Sequence, residues 1–431
     1  VFYLHGSFPQ LDGTLIVPGL RAKVELERDA QGIPTLSAIH REDIAYGLGF
    51  LHAQERFFQM DLQRRQAAGE TAALLGSSAL IDDRSARRHN FRQVARQSLA
   101  DATVEQAGIL AAYTQGVNQG LVEMRQPPME YLLLGQHPEP WHAVDSLLVL
   151  LNQSQVLQHH PIDRQLSEHY FKSQIPEDWR DFFAQGNVNG TPSLPNTPLS
   201  ELISDAAPAV APVSQHTRPG GHQWAISGAL TPQGKGALLA TDVHQPQTLP
   251  TPWYRANWRL PETNRMARGV TLPGNPVLFM GSNEQLSWVL APSRSQNARL
   301  IRLEVDNNSY RTPSGWKPFR ERRERIAVQG SVAQEMMVRD TDWGPVVGQD
   351  EDGRWLVLHW AAHDPGALNL NLHHLEQLSD VDAALLDLNI GLSAQHLMVA
   401  DHRGAIGWTQ VGAWSAVASG TILDGADTDL A

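Results

Sequence analysis

The chain contains no cysteine. That excludes disulfides, thiolate metal sites and a cysteine nucleophile, and leaves the compartment open. No stretch reaches the ~20 apolar residues of a membrane-spanning helix. No long basic run interrupts a formal net charge of −12, so no nucleic-acid partner is expected. Internal repeats and a glycine-rich phosphate loop are missing as well. What is present is the composition of a globular protein, 42% hydrophobic and 19% charged over 431 residues, long enough for a large core and more than one domain. The chain opens Val1-Phe2-Tyr3-Leu4-His5 without an initiator methionine. The expectation is a trimmed N-terminus and export to a bacterial periplasm.

The pattern changes along the chain. Ala22 to His40 reads as a hairpin, with Val24 and Leu26 alternating with charged neighbours and Asp29 to Pro34 supplying the turn. Ile44, Leu48, Leu51, Phe58 and Leu62 then recur at helical spacing, with Glu55, Arg56, Gln59 and Arg64 on other faces. Residues 92–125 and 144–172 also predict helices. Between 185 and 220, prolines among Asn, Ser, Thr and Gly predict a linker. From residue 221 onward the chain predicts short strands: 224–227, 236–241, 253–258, 277–280, 286–290, 300–304, 326–328, 335–338, 355–360, 397–400 and 406–409. A helix is expected at 378–388. The division is therefore a helical region 1–184, a linker 185–220 and a strand-rich region 221–431, an α+β fold.

Three segments carry a specific pattern. Arg28-Asp29 with Gly32-Ile33-Pro34 leads into Gly47-Leu48-Gly49-Phe50-Leu51-His52-Ala53-Gln54-Glu55-Arg56-Phe57-Phe58-Gln59-Met60-Asp61. Tyr131 to Gly135 with Pro138-Glu139-Pro140-Trp141 is a second. Thr241-Asp242-Val243-His244, Gly274-Asn275, Gly281-Ser282-Asn283 and Val399-Ala400-Asp401 extend it. Together they resemble the penicillin amidase (penicillin acylase) family of N-terminal-nucleophile hydrolases. The resemblance implies a four-layer αββα sandwich and hydrolysis of an acyl amide, such as an acylated β-lactam or an acyl-homoserine lactone. It implies a precursor cut between a Gly and a Ser in a Gly-Ser-Asn-x-Trp-Ala-Val-x-Gly pattern. The freed Ser becomes the nucleophile and its own α-amino group the base.

Here Gly220, Trp224, Ala225 and Gly228 fit that pattern, but the Ser position is Gly221 and the Asn position is His222. Glycine has no hydroxyl with which to attack. His244 matches a position that faces the nucleophile in the family. Counting from Trp288 places Pro292 at the backbone oxyanion donor, and proline has no N–H. The calcium positions of many relatives read Gln165, Gln296, Asn297, Ala298 and Arg299, so no metal or other cofactor is expected. The resemblance also implies a second oxyanion donor, an Asn from a motif that in the family lies beyond the position of Ala431, and Asn283 belongs to a different motif.

Three readings stay open on these residues: a member that no longer processes itself or turns over, an engineered Ser-to-Gly precursor of an active acylase, or a binding module using the acyl pocket. The partner expected in each is a small acyl-amide ligand. Other candidates read as scaffolding or solvated surface: Asp340-Thr341-Asp342, Asp424 to Asp429, His159-His160 with Asp163, Ser214, Thr217 and the mixed charges of Arg320–Arg325.

Overall fold

A computed structural model describes residues 4–158, 176, 179, 220–232, 234, 236–245, 248–260, 264–293, 297–350, 352–386, 389–391, 394–413 and 422–427. The expected linker lies outside these residues, except Gly220.

The predicted hairpin forms from β1 (Glu25–Arg28) and β2 (Pro34–Ser37), paired antiparallel with Leu26 opposite Leu36. Its turn is closed by Asp29, whose carboxylate accepts from the Gln31 and Ile33 N–H groups. The long helix α1 (Arg41–Ala68) follows. After it come α2 (Ala72–Leu75), α3 (Leu80–His89), α4 (Phe91–Ala100), α5 (Val104–Glu123), α6 (Met129–Leu134) and α7 (Ala143–Gln158). The stretch expected as helical from 92 to 125 is two helices, because Thr103 caps α5 by accepting from the Gln106 N–H.

Helix α1 is buried on more than the predicted stripe. It is enclosed by α5, α7 and the sheet, so Gln54, Asp61, Arg64 and Arg65 are buried as well. Arg64, expected on an outer face, packs its guanidinium over Trp141, 5.0 Å from the ring centroid, and bonds Asp61 and Asp145. Helices α1 and α5 cross at backbone contact. A Cβ on Gly116 would stand 1.9 Å from the Tyr46 carbonyl oxygen, and one on Gly49 would stand 2.3 Å from that of Tyr113.

The strands that follow are β3 (Gly220–Ile226), β4 (Leu238–His244), β5 (Tyr254–Arg259), β6 (Met266–Thr271), β7 (Met280–Ser282), β8 (Leu286–Pro292) and β9 (Ala298–Leu303). Then come β10 (Val305–Asp306), β11 (Ser309–Thr312), β12 (Gly315–Pro318), β13 (Arg320–Ile326), β14 (Gln334–Asp340), β15 (Val346–Gln349) and β16 (Trp355–Trp360). A short helix α8 (Val381–Leu386) precedes β17 (Gln395–Asp401), β18 (Ile406–Val411) and β19 (Leu423–Asp424). The eight-stranded sheet runs β1-β2-β5-β6-β7-β8-β17-β18, parallel only at β2–β5. The ribbon β3–β4 packs on β8 and β17. A four-stranded sheet β15-β16-β9-β19 and the smaller β10-β11-β12 and β13-β14 sheets complete the strands.

Several strand bounds shift: 224–227 lies in Gly220–Ile226 and 236–241 in Leu238–His244. The run 277–280 contributes only Met280 to β7, and Ile326 ends β13 where a strand was expected to begin. Strand β6 was not predicted, since Arg268 and Gly269 interrupt its β-prone pattern. The charged run 320–325 is a strand whose Arg322 donates to the Arg87 and Arg88 carbonyls. Trp258, Trp288 and Leu397 of the sheet share one core with Ile44, Leu48 and Tyr113 of the helices.

Candidate active site

Strand alternation decides what the residues around position 221 face. In β3–β4, Gly221 pairs with Val243 and His222 with Asp242. Gly221, Gln223 and Ala225 turn one way, and His222, Trp224 and Ile226 the other, into solvent. A Cβ on Gly221 would lie 3.5 Å from Pro292 Cδ and 2.8 Å from the Asp242 carbonyl oxygen. Positions 221 and 292, far apart in sequence, therefore meet in space.

His244 does not join them. It lies on the outer face with His222, where its Nε2 is 2.7 Å from Asp242 Oδ2. The alternation that turns Val243 toward the cleft turns His244 away. Next to Pro292, the Ser293 N–H donates to the Ala394 carbonyl.

A small cleft of about 20 Å³, lined by Val243 and Pro292, lies next to Gly221. Leu157, Trp253, Phe279, Met280 and Leu290 form its apolar wall, and Gln153, Gln245 and Gln395 supply amides. The Nε2 atoms of Gln153 and Gln245 are buried and make no hydrogen bond among the described residues. A buried donor left unpaired costs about 1–3 kcal/mol, so these two amides favour any acceptor that reaches them. Sequence reasoning missed these lining residues. They come from α7, β4, β7, β8, β17 and the intervening turns, with no shared local pattern to reveal them.

The residues of the long sequence pattern serve as buried scaffold. His52 sits at the centre of one network: the Tyr113 hydroxyl is 2.7 Å from its Nδ1, and Thr271 Oγ1 is 3.1 Å from its Nε2. The Gly274 N–H donates in turn to the Tyr113 oxygen. Burial pushes the His52 imidazole down to about 3, with the Arg56 charge adding to it, so it is neutral and fully used. Asp61 accepts from Arg64, Arg65 and the Tyr131 hydroxyl, and Arg64 also reaches Asp145. The Asn283 amide donates to the carbonyls of Leu375, Glu376 and Leu378. Asp401 accepts from the Arg403 and Ala405 N–H groups.

The remaining candidates are placed as follows. Gln165, Gln296, Asp163, His159, His160, Ser214 and Thr217 lie outside the described residues. Arg299, at a calcium position, is buried in β9, where burial lowers its ordinarily high pKa. Asp340 bonds Arg322, and Asp342 bonds Lys317 and Arg320, so that turn is held by cations of its own chain. Asp424 accepts from the Ala426 N–H in a tight turn.

Residues 23–430 match the family described as penicillin amidase. The chain belongs to that family. It is 29% identical over 437 aligned residues to the penicillin acylase 2 proenzyme of Pseudomonas sp. (strain SE83), covering 94% of this chain and 54% of that protein. It is 28% identical to the acyl-homoserine lactone acylase QuiP of Pseudomonas aeruginosa, over 79% of this chain and 42% of that one. The chain thus spans about half the length of the relatives it matches. A solved thermostable penicillin G acylase from Alcaligenes faecalis superposes on 47% of this chain and 38% of its own, at 18% identity and TM-score 0.39, too little to fix the fold by itself. The fold this penicillin amidase member displays is α+β, helices first and strands after.

Proposed function

We propose that this member of the penicillin amidase family binds an acylated amine in the cleft beside Gly221 but neither cuts itself nor hydrolyses its ligand. The observation that carries this is the pairing of a built cleft with two positions that cannot react. Acyl transfer by an N-terminal nucleophile needs a hydroxyl, a base and donors aimed at the developing oxyanion. Gly221 offers no hydroxyl, and the adjoining Pro292 offers no N–H. The apolar wall of Trp253, Phe279 and Leu290 suits an acyl chain, and the unpaired amide donors of Gln153 and Gln245 suit its carbonyl. The family chemistry, removal of an acyl group from an amine such as a β-lactam or homoserine lactone, names the ligand class. A four-layer αββα arrangement and export to a periplasm belong to the same proposal.

The reading as a trapped precursor of a working acylase has one observation against it. A serine Cβ at 221 meets the Asp242 backbone at 2.8 Å, so β3 and β4 must part to admit it. The Gly221→Ser protein, run on a denaturing gel and assayed on an acyl-amide reporter, is expected to stay one chain and inert. Calorimetric titration of the parent with an acyl-homoserine lactone is expected to show binding that Phe279→Ala weakens about tenfold, the size of effect a lost buried aromatic contact of roughly 1.4 kcal/mol or more produces. Splitting into two chains with hydrolysis overturns the proposal.

A further inference from the structure

The outer face of the β3–β4 ribbon, turned away from the cleft, gathers three side chains of metal-binding type. His222 stands directly across from Asp242, and His244 follows two residues later, opposite Gly220. Because Gly220 has no side chain, nothing separates the two imidazoles, whose centroids are 5.2 Å apart. His244 Nε2 is 2.7 Å and His222 Nδ1 is 4.0 Å from Asp242 Oδ2. The three donor atoms all lie within 4.8 Å of one another.

We propose that His222, Asp242 and His244 bind one divalent transition-metal ion of the zinc class. Zinc bonded to nitrogen and carboxylate oxygen at about 2.0–2.2 Å in tetrahedral geometry holds its donors about 3.4 Å apart. The separations here straddle that value, and the side chains are free to adjust, being 78%, 65% and 46% exposed for His222, Asp242 and His244. Strand register supplies the preorganisation: cross-strand and next-but-one positions on one face cannot diverge without breaking β3–β4 pairing. Two imidazoles and one carboxylate select zinc, copper or nickel over calcium or magnesium, which need more oxygen ligands. Three protein ligands leave a coordination position open to water. Of the calcium positions of the family pattern, the described Asn297, Ala298 and Arg299 are elsewhere in the fold, and this face does not depend on what the cleft binds.

A second group, Glu105, His373 and His374, also brings three donors together. There the His373 ring is buried, with its Nε2 3.2 Å from Glu105 Oε1, so it lacks the freedom to adjust that the exposed ribbon side chains have.

The test is calorimetric titration of the whole chain with Zn²⁺ alone, in a non-chelating buffer. One equivalent is expected to bind, with no comparable binding of Ca²⁺. His222→Ala and His244→Ala are each expected to weaken it by roughly 100-fold, the upper end of what even an outer-shell ligand partner costs. Glu105→Ala is expected to leave it unchanged. Thermal midpoints without metal confirm that the variants fold, since all three proposed ligands are exposed. Electron paramagnetic resonance of the Cu²⁺ complex is expected to show two nitrogen donors. Absence of stoichiometric Zn²⁺ binding, equal binding by parent and both histidine variants, or loss on Glu105→Ala overturns the site.

Discussion

Gly221 faces Pro292 across the mouth of the cleft: a Cβ on the glycine would stand 3.5 Å from the proline Cδ. The residue without a hydroxyl and the residue without an N–H thus occupy neighbouring points of one surface. On the proposed reading each removes a different requirement of acyl transfer, the attacking group and a donor to the oxyanion.

Space at position 221 gives the first prediction. Any side chain there meets the Asp242 carbonyl at 2.8 Å, and backbone yields less readily than a side chain. Gly221→Ala and Gly221→Ser are both expected to lose about 1–3 kcal/mol, the usual cost of overpacking. Urea midpoints measure it. A stability gain in either variant would show that the ribbon is looser than this structure.

The α1–α5 crossing gives a second. With 1.9 Å between a Gly116 Cβ and the Tyr46 carbonyl oxygen, Gly116→Ala forces the two helices apart. The expected loss is about 3 kcal/mol, the upper end of the overpacking range, read from the urea midpoint. Gly135→Ala, at an open C-terminal cap, separates the crowding at α1–α5 from a backbone effect, because nothing lies within 4 Å of its Cβ.

The buried charges give a third. Asp61 is fully buried, with Arg64 at 2.7 Å and Arg65 at 2.9 Å. Asp61→Ala removes the shared acceptor of Arg64, Arg65 and the Tyr131 hydroxyl, leaving the two cations only Asp145 and Glu139, and is expected to cost about 3 kcal/mol. A thermal melt beside Arg64→Met tells whether the loss tracks the uncompensated charge or the packing over Trp141.

A pH dependence gives the fourth. Burial lowers His52 to about 3 and His89 to about 4, with Arg56 adding in the first case and Arg88 and Arg322 in the second. Both folded values lie below the ordinary 6.5, so below pH 6.5 the unfolded chain takes up protons that the folded chain refuses. Their stabilising contribution is complete above pH 6.5 and is lost as pH falls toward 4 for His89 and toward 3 for His52. Each contributes a slope of about 1.4 kcal/mol per pH unit in that window. His52→Gln is expected to flatten the profile of urea midpoint against pH by that amount. An unchanged slope would mean that His52 is protonated in the folded protein.

Much of the fold is legible in the sequence because its signals are local. The Asp29 turn, the helical spacing from Ile44 and the β-prone run Leu286–Leu290 each depend on near neighbours, and the corresponding elements form. The family pattern is legible for a different reason. Its polar residues His52, Asp61, Asn283 and Asp401 are buried and each satisfies a specific backbone or side-chain partner, so few substitutes fit. Arg64 is misplaced by sequence reasoning because helical periodicity assumes a solvent face, whereas α1 is enclosed by α5, α7 and the sheet.

By itself the sequence determined that position 221 lacks a hydroxyl and position 292 an N–H, since those are properties of glycine and proline wherever they stand. It determined the family too, through residues whose partners are fixed. Only the tertiary structure decided that 221 and 292 touch, that His244 turns away from them toward His222 and Asp242, and that Gln153 and Gln245 bring unpaired donors to one cleft. The physical reason is that side-chain direction in a strand reverses with every residue. Which of two adjacent residues meets the cleft depends on a register set by partners on another strand, as Gly221 is paired with Val243.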